Sequence, residues 1–276
     1  MNTKTFLPAT SADLDRISRT LLTSRVFPDA EALHAAWRAT PWRIQVTDGG
    51  DVAALEPWRD HLPVLAVVAL YCSERMIPST MRQMRAVALA QGFSDLVSPP
   101  APVEQAHAYE AAGMRIFERV STLVCDPSSA QMESSASAKV RLRPAGTEDV
   151  VPLLALDARC FNEFWRYDAR HIERFMSTQR LVVAESGGDL IGYTLSTVQL
   201  GDGLLGRVGV APESRRRGVG TLLVRDVLEH VRHEGVRHLT LCTQTDNAAS
   251  RALYAKTGFR DTGRRFAFLH FGPGTA

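Results

Sequence analysis

Residues 204–220 constrain this chain more than any other stretch. The alternating apolar run Leu204, Leu205, Val208 and Val210 reads as a strand. Pro212 ends it, because proline has no N–H to give to a ladder. Three arginines, Arg215, Arg216 and Arg217, and two glycines, Gly218 and Gly220, come next. From about Thr221 to Glu234 the residues Val224, Val227, Leu228 and Val231 fall on one helical face. A strand that passes through a basic, glycine-containing turn into a helix is a receptacle for phosphate. The first N–H groups of a helix have no intrahelical partner, and the helix dipole adds partial positive charge there. Glycine lets the backbone come close to phosphate oxygens. Each arginine can add a charge-assisted hydrogen bond of roughly 1.5–3 kcal/mol.

The spacing narrows the choice of phosphate ligand. A Mg-nucleotide loop needs Lys-Ser/Thr after its last glycine, which this turn lacks. A dinucleotide fingerprint needs a third glycine where Leu223 stands. The pattern Arg215-x-x-Gly218-x-Gly220 instead resembles the acyl-CoA-binding signature of the GNAT superfamily of N-acetyltransferases. A second motif follows in the expected order. His238–Thr243 reads as a strand, Asp246 or Asn247 as a helix cap, and Ala248–Lys256 as a short helix closed by Gly258. Asn247, Ser250, Leu253, Tyr254, Gly258 and Phe259 are similar to the ending of that superfamily. The resemblance covers roughly residues 139–272.

What precedes looks like a worn copy of the same unit. Phe6-Leu-Pro8 with Asp13 parallels Leu142-Arg-Pro144 with Asp149, and Phe27-Pro28 falls where Phe161-Asn162 falls. Tyr109, Gly113 and Met114 parallel Tyr254, Gly258 and Phe259. The phosphate cradle is missing: Tyr71–Arg85 keeps arginines but has no glycine. Residues 127–138, small and polar without apolar periodicity, read as a linker. The expected division is therefore 1–127, a degenerate domain, a linker at 128–138, and an acetyltransferase domain at 139–276. The fold class that the resemblance implies is α/β (α+β): two tandem GNAT-like domains, each a mixed, mostly antiparallel twisted sheet flanked by helices. Trp37, Trp42 and Trp58 read as core, with an acceptor wall as the alternative.

Composition sets the outer limits. The chain has 276 residues, 45% of them hydrophobic and 22% charged, enough for two cores and unlike a disordered chain. A net charge of +2 argues against a dedicated nucleic-acid binder. The four cysteines (Cys72, Cys125, Cys160, Cys242) are scattered and read as reduced thiols. The amino-terminal residues lack the basic-then-apolar pattern of a signal peptide, and the longest apolar run, Leu62–Cys72, is too short to span a membrane. The expectation is a cytoplasmic monomer or homodimer, with no nucleic-acid or membrane partner and no metal. His230 and His233 read as a solvated helix face rather than zinc ligands.

The resemblance assigns the chemistry. Acetyl-CoA is the implied cosubstrate, a primary amine of a small molecule or peptide the implied acceptor, and direct acetyl transfer the implied reaction. Val208, Gly209, Val210, Arg215, Arg216, Arg217, Gly218, Val219, Gly220, Thr221 and Asn247 are the implied cofactor-binding residues, with the Val210 N–H facing the thioester oxygen. Tyr254 matches the usual general acid. Phe161, Glu163, Phe164, Trp165 and Asp168, with Tyr167, are expected beside the acceptor, or else as a packed corner between helices. No carboxylate stands on the strand Leu239–Gln244, so Glu163, Asp168 and Glu185 are the candidate bases, and Cys242, taken as buried, is a poor one. The competing reading is a non-catalytic acyl-CoA-binding or regulatory protein.

Overall fold

A computed structural model describes residues 4–23, 26–27, 29–129, 140–199 and 201–272. In chain order the elements are β1 (Leu7–Pro8), α1 (Ser11–Thr23), α2 (Ala30–Ala39), β2 (Ile44–Val46), β3 (Val52–Pro57), β4 (Val64–Tyr71), α3 (Ile77–Ala90), β5 (Asp95–Val97), β6 (Ala101–Pro102), α4 (Ala106–Glu110) and β7 (Arg115–Cys125). They continue with β8 (Arg141–Pro144), α5 (Val150–Cys160), α6 (Ala169–Thr178), β9 (Arg180–Ser186), β10 (Asp189–Gln199), β11 (Asp202–Val210), α7 (Val219–His233), β12 (His238–Gln244), α8 (Ala248–Lys256) and β13 (Arg260–His270). The mixed, mostly antiparallel α/β class expected from the sequence is what the chain forms.

Two compact units result: residues 1–119 with 266–276, and residues 120–265. The expected cut at 128–138 follows composition, whereas the units divide inside two strands, β7 and β13. Strand pairing is the cause. Residues 120–125 of β7 pair with β12, and residues 266, 267 and 270 of β13 pair with β6 and β5. Residues 130–139, which hold most of the expected linker, lie outside the described residues, as does Pro28.

In the first unit, β1 to β5 lie in order, antiparallel except for the parallel pair β4–β5. Leu65, Met81, Met84 and Leu96 are fully buried between sheet and α3. Trp37 belongs to the core and donates through Nε1 to the Ala9 carbonyl at 2.8 Å, and Trp42 packs against Phe93. After α4 the Gly113 N–H donates to Glu110 O and the Met114 N–H to Tyr109 O. With Gly113 at φ 98°, this is a paired-carbonyl helix ending that needs a left-handed residue.

The second unit orders its strands β8-β9-β10-β11-β12 and then residues 120–125 of β7, with only β11–β12 parallel. Alternation along β9 and β10 sends side chains to two faces. Leu181, Val183, Tyr193 and Leu195 meet α5 and α6 through Leu153, Leu156, Ile172 and Phe175. The other face packs on α7: Ala184 against Leu223, and Leu205, Leu239 and Leu241 against Val224, Val227, Leu228 and Val231. Gly187 and Gly188, both at positive φ, make the two-residue hairpin turn between β9 and β10. Thr147–Asp149 forms a 3-10 turn at the entrance to α5. The buried Asp149 carboxylate folds back on that turn, accepting the Gly146 N–H at 2.7 Å, and is gripped by Arg143. No helix among the described residues is long and apolar enough to cross a membrane.

Candidate functional site

A strand with one open edge leads to the phosphate-type turn. β11 pairs with β10 along its whole length, but with β12 only from Asp202 to Leu204. A bulge at Gly206, which the β10 register skips between Leu195 and Ser196, bends β11 at the point where β12 stops pairing with it. Backbone groups alternate between neighbours in an antiparallel ladder. The Ala211 N–H donates to Ile191 O, so the backbone groups of Ala211 and Gly209 face β10, while those of Val208 and Val210 face the open edge. The Val210 carbonyl on that edge accepts Arg215 Nε at 3.1 Å.

The turn that follows has a backbone geometry that suits an anion. Arg216 at φ 61° is the only non-glycine residue at positive φ among the described residues, and Gly218 follows at φ 83°. Such left-handed residues turn successive N–H groups inward into an anion-binding concavity. Helix α7 starts at Val219, two residues earlier than the sequence suggested, because Gly218 serves as its N-cap. The first intrahelical bond is Leu222 N–H to Gly218 O, which leaves the N–H groups of Val219, Gly220 and Thr221 without helical partners. A Cβ at Gly218 would meet nothing within 4 Å, so the approach is open. Arg215, Arg216, Arg217 and Gly218 are exposed, whereas Val219 and Thr221 are buried and offer backbone only. These groups fit a diphosphate. Gly209 has a different reason: a Cβ there would run into the Tyr193 ring. A separate cavity of about 650 Å³ on the flank of the turn is lined by Arg217 and Val219 but not by Val208, Val210 or Tyr254.

Helix α8 brings Tyr254 to the same place. Asn247 caps it, accepting the Ser250 N–H on Oδ1 at 3.0 Å, and its Nδ2 lies 3.5 Å from Gln244 Oε1. At the other end the Gly258 N–H donates to Ala255 O and the Phe259 N–H to Tyr254 O, with Gly258 at φ 92°. The accompanying apolar contact is the edge-to-face pair Tyr254–Phe259, 5.6 Å between ring centres. The helix ending thus holds the tyrosine ring. Tyr254 is 7% exposed and packs in one cluster with Leu205, Val208 and Leu241, on the strands that part. Burial pushes its phenol up to about 12, and the hydroxyl has no hydrogen-bond partner among the described residues. It therefore keeps its proton at any ordinary pH.

On the other face of β11 stands a buried network that sequence reasoning missed. Arg207 donates to Asp157 Oδ1 at 2.6 Å and to the Trp165 carbonyl at 2.7 Å. Its guanidinium lies 3.7 Å from the Tyr167 ring centre and 4.0 Å from that of Phe161. Asp157 also accepts the Tyr193 hydroxyl and, on Oδ2, the Tyr167 N–H. Nothing in the spacing links Arg207 to Asp157, which are fifty residues apart; the one signal was a carboxylate on the apolar face of α5. The aromatic segment therefore presents Phe161 and Tyr167 to Arg207. Phe164 and Trp165 form an edge-to-face pair, 5.4 Å apart. Asp168 caps α6, taking the His171 N–H and Nδ1 on Oδ1. Glu163 is exposed.

Of the other expected bases, Glu185 is held by Arg143 Nε and Nη2 at 2.9 and 2.6 Å, on the β9 edge that pairs with β8. Cys242 is exposed rather than buried, because it lies on the face of β12 opposite Leu239 and Leu241, 3.7 Å from Thr122 Oγ1.

With this geometry in hand, the comparisons with known proteins are specific. The family described as acetyltransferase (GNAT) matches residues 150–259. The N-alpha-acetyltransferase RimI of Mycobacterium tuberculosis is 34% identical over 122 residues, 40% of this chain and 72% of that protein. The ribosomal protein bS18-alanine N-acetyltransferase of Escherichia coli K12 is 28% identical over 89 residues, 32% of this chain and 57% of that protein. Among solved structures, a tandem GNAT protein from the clavulanic acid biosynthesis pathway superposes with a TM-score of 0.71 at 22% identity, covering 98% of this chain and 99% of that one.

Proposed function

The chain belongs to the GNAT acetyltransferase family, and from that premise we propose that it moves an acetyl group from acetyl-CoA directly to a primary amine of a small molecule or peptide. One observation carries the proposal: the open edge of β11 runs straight into a helix N-terminus whose N–H groups are unclaimed, beside a buried, protonated tyrosine.

In this reading the diphosphate sits on the N–H groups of Gly218, Val219, Gly220 and Thr221, with Arg215, Arg216 and Arg217 adding charge. The pantetheine arm adds as a strand to Val208 and Val210, and the Asn247 amide lies within its reach. The Val210 N–H stabilises negative charge on the thioester oxygen during attack. The amine nitrogen bonds to the carbonyl carbon, the C–S bond breaks as Tyr254 gives its proton to the departing thiolate, and the proton shed by the new amide nitrogen returns through solvent to restore the phenol. The amine loses its proton to solvent before attack, since Glu185 is committed to Arg143. Phe164, Trp165, Glu163 and Asp168 stand on the segment proposed to meet the acceptor, and Phe161 shapes it from beneath. Relatives named for acting on α-amines and on an alanine favour a peptide amino terminus.

The first unit is proposed to be a degenerate copy that does not bind acyl-CoA. It keeps the Tyr109–Gly113–Met114 helix ending. Its α3 starts after a Glu74–Met76 turn with Pro78 in the first turn and no glycine, so a Cβ crowds every approach to that helix end. The reaction is proposed to run in the cytoplasm.

Acetyl-CoA is incubated with the full chain and an alanyl peptide, an amino sugar and a diamine, and free thiol is followed. Thiol release that requires one of these amines supports transfer. The competing non-catalytic reading draws on the missing carboxylate of β12, and tight coenzyme A binding with no release across the panel would favour it.

A further inference from the structure

Arg207 stands at the junction between the strand that takes the acyl donor and the segment that faces the acceptor. Its side chain is 8% exposed and that of Asp157 is 1% exposed. An ion pair alone would need only the Asp157 contact at 2.6 Å. Beyond Asp157 and the neighbouring Tyr193 hydroxyl, the guanidinium also reaches one short segment: the Trp165 carbonyl at 2.7 Å, the Tyr167 ring at 3.7 Å and the Phe161 ring at 4.0 Å. Asp157 turns its other oxygen to the same segment, accepting the Tyr167 N–H at 2.8 Å. The planar, gripped guanidinium has little freedom of its own, so a shift of its backbone is passed to residues 161–167.

That backbone belongs to the part of β11 held from one side only. Arg207 follows the Gly206 bulge and pairs with Leu195 of β10, while β12 stops at Leu204. A ligand strand on Val208 and Val210 would supply the second side and stiffen this stretch. Stiffening one site lowers the ordering cost at another when the two share a rigid link.

We propose that Arg207 is a positioning residue that couples occupancy of the open β11 edge to the order of segment 161–168, which faces the acceptor. This rests on the reading of β11 as the donor strand. Lysine at 207 keeps the charge beside Asp157 but lacks the plane and the fork that hold the rings and the Trp165 carbonyl.

Amide hydrogen exchange of the full chain, with and without coenzyme A, tests the coupling. In the wild type coenzyme A slows exchange in peptides from 205–222 and also, by about fivefold or more, in 161–168. In Arg207→Lys the 205–222 response stays, with a coenzyme A Kd within about threefold of wild type, while the 161–168 response disappears. Phe161→Leu, which removes one ring face and leaves the ion pair, weakens that response without abolishing it. A wild type in which 205–222 responds and 161–168 does not overturns the proposal. So does an Arg207→Lys protein whose 161–168 segment exchanges faster overall but still responds to coenzyme A in full, since that is the mark of simple structural support. No response in 205–222 even in the wild type removes the donor-strand reading and the proposal with it.

Discussion

Gly220 and Leu253 stand so close that a Cβ on Gly220 would lie 3.1 Å from Leu253 Cδ2, with Val210 Cγ2 at 3.7 Å. The first turn of α7, the end of β11 and helix α8 meet there, one residue before Tyr254. Gly220→Val overfills this contact, and overpacking costs about 1–3 kcal/mol. The melting temperature is expected to fall by roughly 3–10 °C. Turnover should fall with it, because α8 moves and carries Tyr254 along. A thermal melt and a thiol-release assay check both.

Gly218→Asp should separate fold from binding. Asp is among the residues that tolerate left-handed φ, and at an N-cap its carboxylate favours the helix. The melting temperature is expected to stay within about 2 °C of wild type. The same carboxylate repels a diphosphate, so coenzyme A binding should weaken by about 100-fold or more, equivalent to roughly 2.8 kcal/mol. Calorimetry on the folded variant reads this directly.

Tyr254→Phe removes the proposed proton donor and keeps the ring that packs on Phe259. Turnover should drop about 100-fold with coenzyme A affinity unchanged. The phenol, pushed up to about 12 by burial, keeps its proton throughout the working range. The rate should therefore rise with pH as the acceptor amine deprotonates, near pH 8 for an α-amine, and show no descending limb by about pH 10. A fall centred near pH 8.5, where thiols titrate, would point to another acid.

Acid stability should track Arg143. Its guanidinium beside Asp149, at 2.5 and 2.8 Å, holds that carboxyl below the usual range. A carboxyl depressed in the folded state stabilises the fold above its unfolded value of about 3.9, and this contribution is lost as pH falls below it. Arg143→Met should cost about 3 kcal/mol near neutral pH, because it strands a buried charge. Its stability should fall less steeply than wild type below about pH 4. Urea melts across pH 3–7 measure both effects.

The phosphate-type turn was legible because its logic is local. Pro212, Gly218 and the cap Asn247 each act within a few residues, and so does the ending Tyr254–Phe259. The open edge was not legible, since it depends on where β12 stops pairing with β11 and on the Gly206 bulge, both matters of register between distant strands. The same holds for the Arg207–Asp157 pair and for the division of the chain inside β7 and β13. Gly209 shows the limit within the motif itself: it sits in the signature strand, yet the Tyr193 ring accounts for it.

Titration calorimetry of the full chain with coenzyme A and with pantetheine tests the central claim most directly, because the two share the arm and differ in the diphosphate. The account predicts measurable heat with coenzyme A and affinity for pantetheine weaker by about 100-fold, the loss expected for several charge-assisted phosphate bonds. No binding of coenzyme A, or equal affinity for both, would contradict it.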